Sequence, residues 1–351
     1  MTNTVRIYET DNNDLIYAAY LMDGENRVTV RKSIIEQYEE YYEDDTIVVE
    51  GLTSIRNINQ LDIGPVYNYN IVFNAYELSR MQHLYTLVLS GVEIIGGFNP
   101  TVLKSLQLNT VDLERIQIRG SLQSFSGCTI QYLNVSRCEF SDSTVTGPID
   151  MKCNNLVLHC NGLSMQTIPV VKSLRTLKVI GENIVEIGPV DSMAALEILH
   201  VEQCGLSGHI PSSICTLSRL RTLTLSKNQM KGQIPSDIKR LSRLQSLNLS
   251  HNQLEGTVPD LPPYLEKISL HYNRLSGSIH TVLVPNIELV HIYGNPDIYG
   301  TISSDRFVLH ISTDFNGRVS PENRDDWFSS ICTDSRGTEY ISYIFLGMYG
   351  Q

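Results

Sequence analysis

The residues best equipped for chemistry in this 351-residue sequence are its histidines. His271, His291 and His310 recur about every twenty residues, with Tyr272 beside the first and Tyr293 just beyond the second. Imidazoles gathered in one place can hold a metal, answer to pH, or offer a partner large contact area with polar handles. The last is the expectation here, with no metal and no cofactor. Nucleophile and phosphate-loop patterns are missing: there is no GxxxxGK, HExxH, GxSxG or paired CxxC. Cys332 and Asp334 stand two apart near the end of the chain, with no helical catalytic region after them. The reading is therefore of a binding protein and not of an enzyme. The histidines can cooperate only if the chain returns to the same place every twenty residues or so.

A repeat does this. Residues 220–235 read LRTLTLSKNQMKGQIP and residues 244–259 read LQSLNLSHNQLEGTVP, an offset of 24. The unit before carries Leu196, Leu199, Val201, Cys204, Leu206, Gly208, Ile210 and Pro211. Two units follow, with Leu265, Ile268, Leu270 and Asn273, then Ile287, Val290, Ile292 and Asn295. Residues two apart, such as Leu223 and Leu225, face the same way on a strand, here into the core. Polar Asn228 falls at a buried corner, where its amide can serve backbone groups of adjoining coils. Asn161, Asn228, Asn252, Asn273 and Asn295 are expected to form such a ladder. Upstream units start near Ile58, Leu84, Leu103, Ile130, Cys153 and Leu174, and often replace the asparagine, as at Val66, Val92, Cys138 and Glu182. Between 100 and 125 two frames compete, Leu103/Leu106/Leu108 and Leu113/Ile116/Ile118. A last partial unit is expected at Leu309/Ile311.

One unit cannot bury its apolar edge alone, so the units must stack. The expected fold is an α/β repeat: a curved solenoid of roughly eleven coils with a parallel sheet on the concave face and an irregular or 3-10 convex side. Residues alternating with the core rows face solvent. The central outward position carries Lys178, His200, Thr224, Asn248, Ser269, His291 and His310, and the next carries Glu202, Ser226, Ser250, His271 and Tyr293. His271, Tyr272, His291, Tyr293 and His310, with His200 and Glu202, are the candidate partner-binding residues.

The 220–259 segment resembles plant-type leucine-rich repeats, whose unit is L-x-x-L-x-L-x-x-N-x-L-x-G-x-[IV]-P. The resemblance is strong over 196–302, moderate back to about 52, and fails over 1–50. It implies a recognition scaffold. It does not imply the receptor role, for no signal peptide, transmembrane helix or kinase accompanies the repeats. Separately, Leu261-Pro262-Pro263-Tyr264-Leu265 is similar to repeats of bacterial effector ubiquitin ligases, and Cys332 with Asp334 echoes their catalytic motif. That makes an effector-type ligase a remote alternative.

The ends differ from the array of 46–319. Residues 1–45 read as a cap, and residues 1–50 hold 12 Asp+Glu against 4 Lys+Arg. Strands are expected at Val5-Arg6-Ile7-Tyr8, 16–21 and Val28-Thr29-Val30, and a short helix from Ser33 to about Tyr42. Residues 320–351 lose the repeat and read as a closing cap. A net charge of -11 argues against a nucleic-acid partner, and no apolar run is long enough for a membrane span. Seven scattered cysteines and no apolar N-terminal segment point to reduced thiols in the cytoplasm. Asn134-Val135-Ser136 and Asn248-Leu249-Ser250 match the glycosylation sequon. The reading is a cytoplasmic scaffold for a protein partner. The alternative is a secreted or surface-exposed receptor-like fragment.

Overall fold

The structure, a computed structural model, describes residues 69–278 without a break, 58–64, and most of 282–304. It also describes the strands Asn3–Ile7, Thr29–Ser33, Asp45–Glu50, Phe307–Ile311, Ser329–Thr333 and Glu339–Tyr343. Two compact units divide the chain: Met1–Met165 with Pro169–Leu174, and Gln166–Ile168 with Arg175–Gln351.

Each unit is a stack of coils, and each coil contributes one strand to a parallel main sheet. In the first unit these strands are Asn3–Ile7, Ile58–Ile63, Thr86–Ser90, Gln107–Glu114, Thr129–Ser136 and Asn155–His159. Leu61, Leu87, Val111, Leu133 and Leu156 lie opposite one another in register and are wholly buried. In the second unit the strands are Thr176–Ile180, Ile198–Glu202, Thr222–Thr224, Ser246–Asn248, Lys267–Ser269 and Leu289–His291. Leu223, Leu247, Ile268 and Val290 form one buried row, as the repeat requires. Burying such rows from coil to coil is what holds stacked repeats together. The return path uses short 3-10 turns, among them Ala75–Arg80, Pro100–Leu103, Ser212–Thr216 and Ser236–Arg240.

A smaller sheet forms on the return side of each unit. In the second unit it runs Lys231–Gly232, Gln253–Thr257, Arg274–Ser278, Asp297–Ser304 and Phe307–Ile311. Gly232, Gly256 and Gly277 recur in its strands with positive φ, and a Cβ would be crowded there. Gly232 has φ +72°, and a Cβ there would collide with the ring of His209 from the coil before.

Several sequence expectations need correction. Between 100 and 125 neither frame holds: Val111 and Leu113 face the core, preceded by Leu108. The phase chosen places the strands 24 and 22 residues from their neighbours at Leu87 and Leu133, whereas the rivals leave one coil too short. Phe307–Ile311, expected as a last coil strand, instead pairs antiparallel with Asp297–Ser304. Only two residues separate Ser304 from its partner Phe307, enough for a hairpin and not for a coil. Ser33, expected to open a helix, ends the strand Thr29–Ser33, which pairs antiparallel with Asp45–Glu50. Its capping-box pattern is a short-range signal that the pairing of Val30 and Arg31 with Val49 and Val48 overrides. Asn3–Ile7 runs parallel to Ile58–Ile63, so residues assigned to a cap add a strand to the main sheet. The expected strand at 16–21 and helix residues 34–42 lie outside the described residues.

Candidate partner-binding face

From the strand Thr86–Ser90 onward, the described coils leave the main sheet through the same bend. The residue just before the asparagine position has positive φ: Gly91, Arg115, Arg137, Cys160, Gly181, Gln203, Lys227, His251, Tyr272 and Gly294. Seven of these ten are not glycine, and each carries a backbone conformation that costs an L-residue about 1–2 kcal/mol. The bend is retained because it aims the amide across the stack. Arg137 N–H donates to the His159 carbonyl at 2.7 Å, Lys227 to Ser250 at 3.0 Å and His251 to His271 at 2.9 Å.

The next residue is the ladder rung. Asn228 Oδ1 accepts from the amides of Cys204 and Leu206 at 3.0 and 3.1 Å. Its Nδ2 donates to the carbonyls of Val201, Leu225 and Ser226. Asn252 accepts from Met230 N–H, Asn273 from Leu254 N–H and Asn295 from Leu275 N–H, each at 3.0 Å. Asn161 accepts from Cys138 N–H at 2.9 Å and donates to the Val135 carbonyl. Where cysteine takes the position, the thiol keeps part of this role. Cys138 Sγ donates to the carbonyls of Leu113 and Ser136, and Cys204 Sγ to those of Val179 and Glu202. Burial raises the Cys138 thiol to about 11, so it is a donor and not a nucleophile.

These bends bring a ring cluster to the solvent face of the second unit. His271 and His291 have centroids 5.7 Å apart, nearly perpendicular. His251 lies 5.0 Å from His271 and 4.6 Å from Tyr272, and Tyr272 is 5.7 Å from His271. Tyr272 remains 41% exposed, so the cluster presents an aromatic rim. Burial, helped by the neighbouring His251 and His291, lowers His271 to about 4. Burial also lowers His291, and burial together with the Lys227 ammonium lowers His251. At neutral pH the cluster is therefore uncharged.

An ion-paired group adjoins it. Glu202 Oε2 meets His200 Nε2 at 3.0 Å, and Glu202 Oε1 meets Lys227 Nζ at 2.9 Å. Burial pushes the Glu202 carboxyl up, but the bonds from Lys227 and His200 outweigh it and leave the group below its usual range.

Of the predicted residues, the structure thus gathers His271, Tyr272 and His291, and joins His200 to Glu202. Tyr293 lies outside the described residues. His310 does not belong with the others, because its strand pairs into the return-side sheet. Sequence reasoning missed His251 and Lys227. Strand alternation cannot place them, since both sit at the positive-φ bend; the spacing to Tyr272 one coil later was the available signal. Among the described residues no three metal-ligating side chains converge as a metal site needs.

Residues 194–254 match the leucine-rich-repeat family model. The coils of this segment are leucine-rich repeats. Comparison with curated proteins gives no match. Among solved structures, the chain is similar to the ectodomain of the Arabidopsis thaliana receptor kinase GASSHO1/SCHENGEN3, with 23% identity, 70% of this chain and 30% of that one covered, and a TM-score of 0.49. The ectodomain of the Arabidopsis thaliana receptor kinase SOBIR1 shares 31% identity over 31% of this chain and 62% of its own, with a TM-score of 0.30. A leucine-rich-repeat protein of Leptospira interrogans shares 17% identity over 70% of this chain and 75% of its own, with a TM-score of 0.45. The chain thus spans less than two thirds of either plant ectodomain. No helix among the described residues is long and apolar enough to cross a membrane.

Proposed function

We propose that this leucine-rich-repeat chain is a protein-binding module, not an enzyme, and that it docks its partner on the solvent face of the main sheet in the second unit. The observation that carries this is the uncharged cluster of His251, His271, Tyr272 and His291. Residues from three successive coils build it, and its rings are packed on one another before any partner arrives. Rigid aromatic groups of this kind give contact area at little entropic cost. One further feature favours binding over catalysis: burial raises the thiols of Cys128, Cys138 and Cys153 to about 11, which leaves them poor nucleophiles.

The test is partner capture followed by calorimetry, comparing the native chain with Tyr272→Ala/His291→Ala. Affinity should fall by about 2 kcal/mol while the thermal melt barely moves, since the rings of Tyr272 and His291 pack on the other rings of the cluster. Equal affinity with an equal melt would move the docking site elsewhere.

The compartment proposed is the cytoplasm. Thiols that donate hydrogen bonds inside the ladder, as at Cys138 and Cys204, suit a reducing environment. A secreted or surface-displayed fragment is the competing reading. Asn248 separates the two. It sits on the strand between Thr224 and Ser269, where a glycan would crowd the docking face. Its Oδ1 already accepts from the Ser250 amide and hydroxyl at 3.1 and 2.7 Å. Glycan analysis of native protein should find Asn248 unmodified; a glycan there would favour the secreted reading.

A further inference from the structure

A second surface of the same unit has a charge balance opposite to that of the chain. Residues 219–243 contain seven lysines and arginines and one acid, Asp237, in a protein of net charge -11. Several of these cations lie on the edge that leads into each main-sheet strand. Some are paired. Arg221, with Arg175 from outside this segment, flanks Glu197 at 3.9 and 3.6 Å, Lys227 meets Glu202 at 2.9 Å, Arg240 meets Asp237 at 3.3 Å, and Lys239 meets Asp260 at 3.1 Å. Arg219 and Arg243 have no carboxylate within 4.0 Å among the described residues, and both are exposed.

These two arginines occupy the same place in successive coils. Leu220 N–H donates to the Leu217 carbonyl and Leu244 N–H to the Leu241 carbonyl, closing identical turns. Two residues beyond each arginine, Gln245 N–H donates to the Arg221 carbonyl at 2.8 Å, which locks the coils in register. The roots of the two guanidinium groups are therefore a strand spacing apart, roughly 5 Å. The equivalent place in the following coil is Tyr264, 61% exposed.

Placing like charges side by side is unfavourable, and the fold recovers nothing for it here. The comparison is local. Two residues along the same edge, a stabilising ladder alternates in the ordinary way, Arg175, Glu197, Arg221, and then Gln245 bonded to Glu266 at 3.1 Å. Arg219 and Arg243 depart from that pattern where nothing in the coil requires it. Such departures from local consistency mark sites kept for a ligand.

We propose that this edge docks an acidic, extended segment of a partner protein. Two planar guanidinium forks in register are suited to bidentate capture of carboxylates, and Tyr264 offers a stacking face beside them. A carboxylate-bearing peptide fits better than a nucleic acid. Two unpaired arginines neutralise few phosphates, and the chain's overall charge of -11 repels a dense polyanion. This surface is distinct from the ring cluster, so the inference stands or falls independently of the docking face described above.

The experiment uses the full chain and a fluorescent synthetic peptide of alternating glutamate and serine, read by anisotropy. A glutamine-for-glutamate peptide and a single-stranded oligonucleotide serve as comparators. The glutamate peptide should bind, and binding should weaken as salt is raised. Arg219→Glu/Arg243→Glu should weaken it at least about tenfold, with an unchanged melt. Tyr272→Ala/His291→Ala should leave it untouched. If the charge-reversed chain melts early, Arg219→Gln/Arg243→Gln decides, and it should give an intermediate loss. Absence of peptide binding, binding by the reversed and neutralised variants that equals the native chain's, or an oligonucleotide binding as tightly as the peptide would each overturn the proposal.

Discussion

Replacing Asn228 with alanine tests the ladder at its most connected rung. The side chain makes five hydrogen bonds, accepting from Cys204 and Leu206 N–H and donating to three carbonyls. In Asn228→Ala the two amides are left buried without an acceptor. Each such group costs about 1–3 kcal/mol, and water entering the space left by the amide recovers part of it. The Ser226 carbonyl keeps the amide of Gln203, so the acceptor side loses less. The net expectation is a loss of about 3 kcal/mol. Asn228→Cys is the informative control. The natural cysteines at 138 and 204 show that a thiol here still donates to carbonyls, at 3.2 to 3.5 Å. Sulfur is a poor acceptor for the two amides, so the cysteine variant should fall between, losing about 1–2 kcal/mol. Urea unfolding in the presence of reductant measures both. The reasoning fails if alanine lies within about 0.5 kcal/mol of the native chain, or if cysteine is no better than alanine.

Two other perturbations follow from the geometry. Gln203 is an exposed residue at φ 55°, so Gln203→Gly removes an unfavourable conformation worth about 1–2 kcal/mol and gives back about 0.5–1 kcal/mol in chain entropy; the melt should rise slightly, and a fall would show that the bend is not strained. His271 is lowered from 6.5 to about 4 in the folded chain. Above the unfolded value both states are neutral. Between 6.5 and about 4 the unfolded chain takes up a proton that the folded chain refuses, so stability should fall as pH drops through this window and level off below it. The ring is only half buried, which limits the effect to about 1–2 kcal/mol. His271→Gln should flatten this slope in a pH series of unfolding curves, and an unchanged slope would refute the assignment.

The core rows and the rungs could be read from the sequence because they obey a fixed spacing with one chemical requirement at each place. Leu223 and Asn228 have no alternative partners at that spacing. The segment from 103 to 118 was ambiguous for the opposite reason. Apolar residues at 103, 106, 108, 111, 113, 116 and 118 satisfy the same pattern in three phases, and only the coil lengths on either side select the middle one. The site was half legible. His291 follows from strand alternation, but His251 and Tyr272 reach the cluster through a positive-φ bend that hydrophobic periodicity does not encode. His310 misled because Phe307–Ile311 alternates like a coil strand, and its antiparallel partner is decided by the two-residue connection before it.

The buried thiols of the first unit have a consequence for reactivity in time. Cys128, Cys138 and Cys153 are buried and raised to about 11, while Cys160 is exposed. A thiol reagent added to the native chain reaches Cys160 at once but must wait for a coil to part before it meets the others. Their labelling rates are clocks for local opening, read at three places within one unit and needing no introduced probe. The first unit thus carries its own record of where the stack breathes and how often.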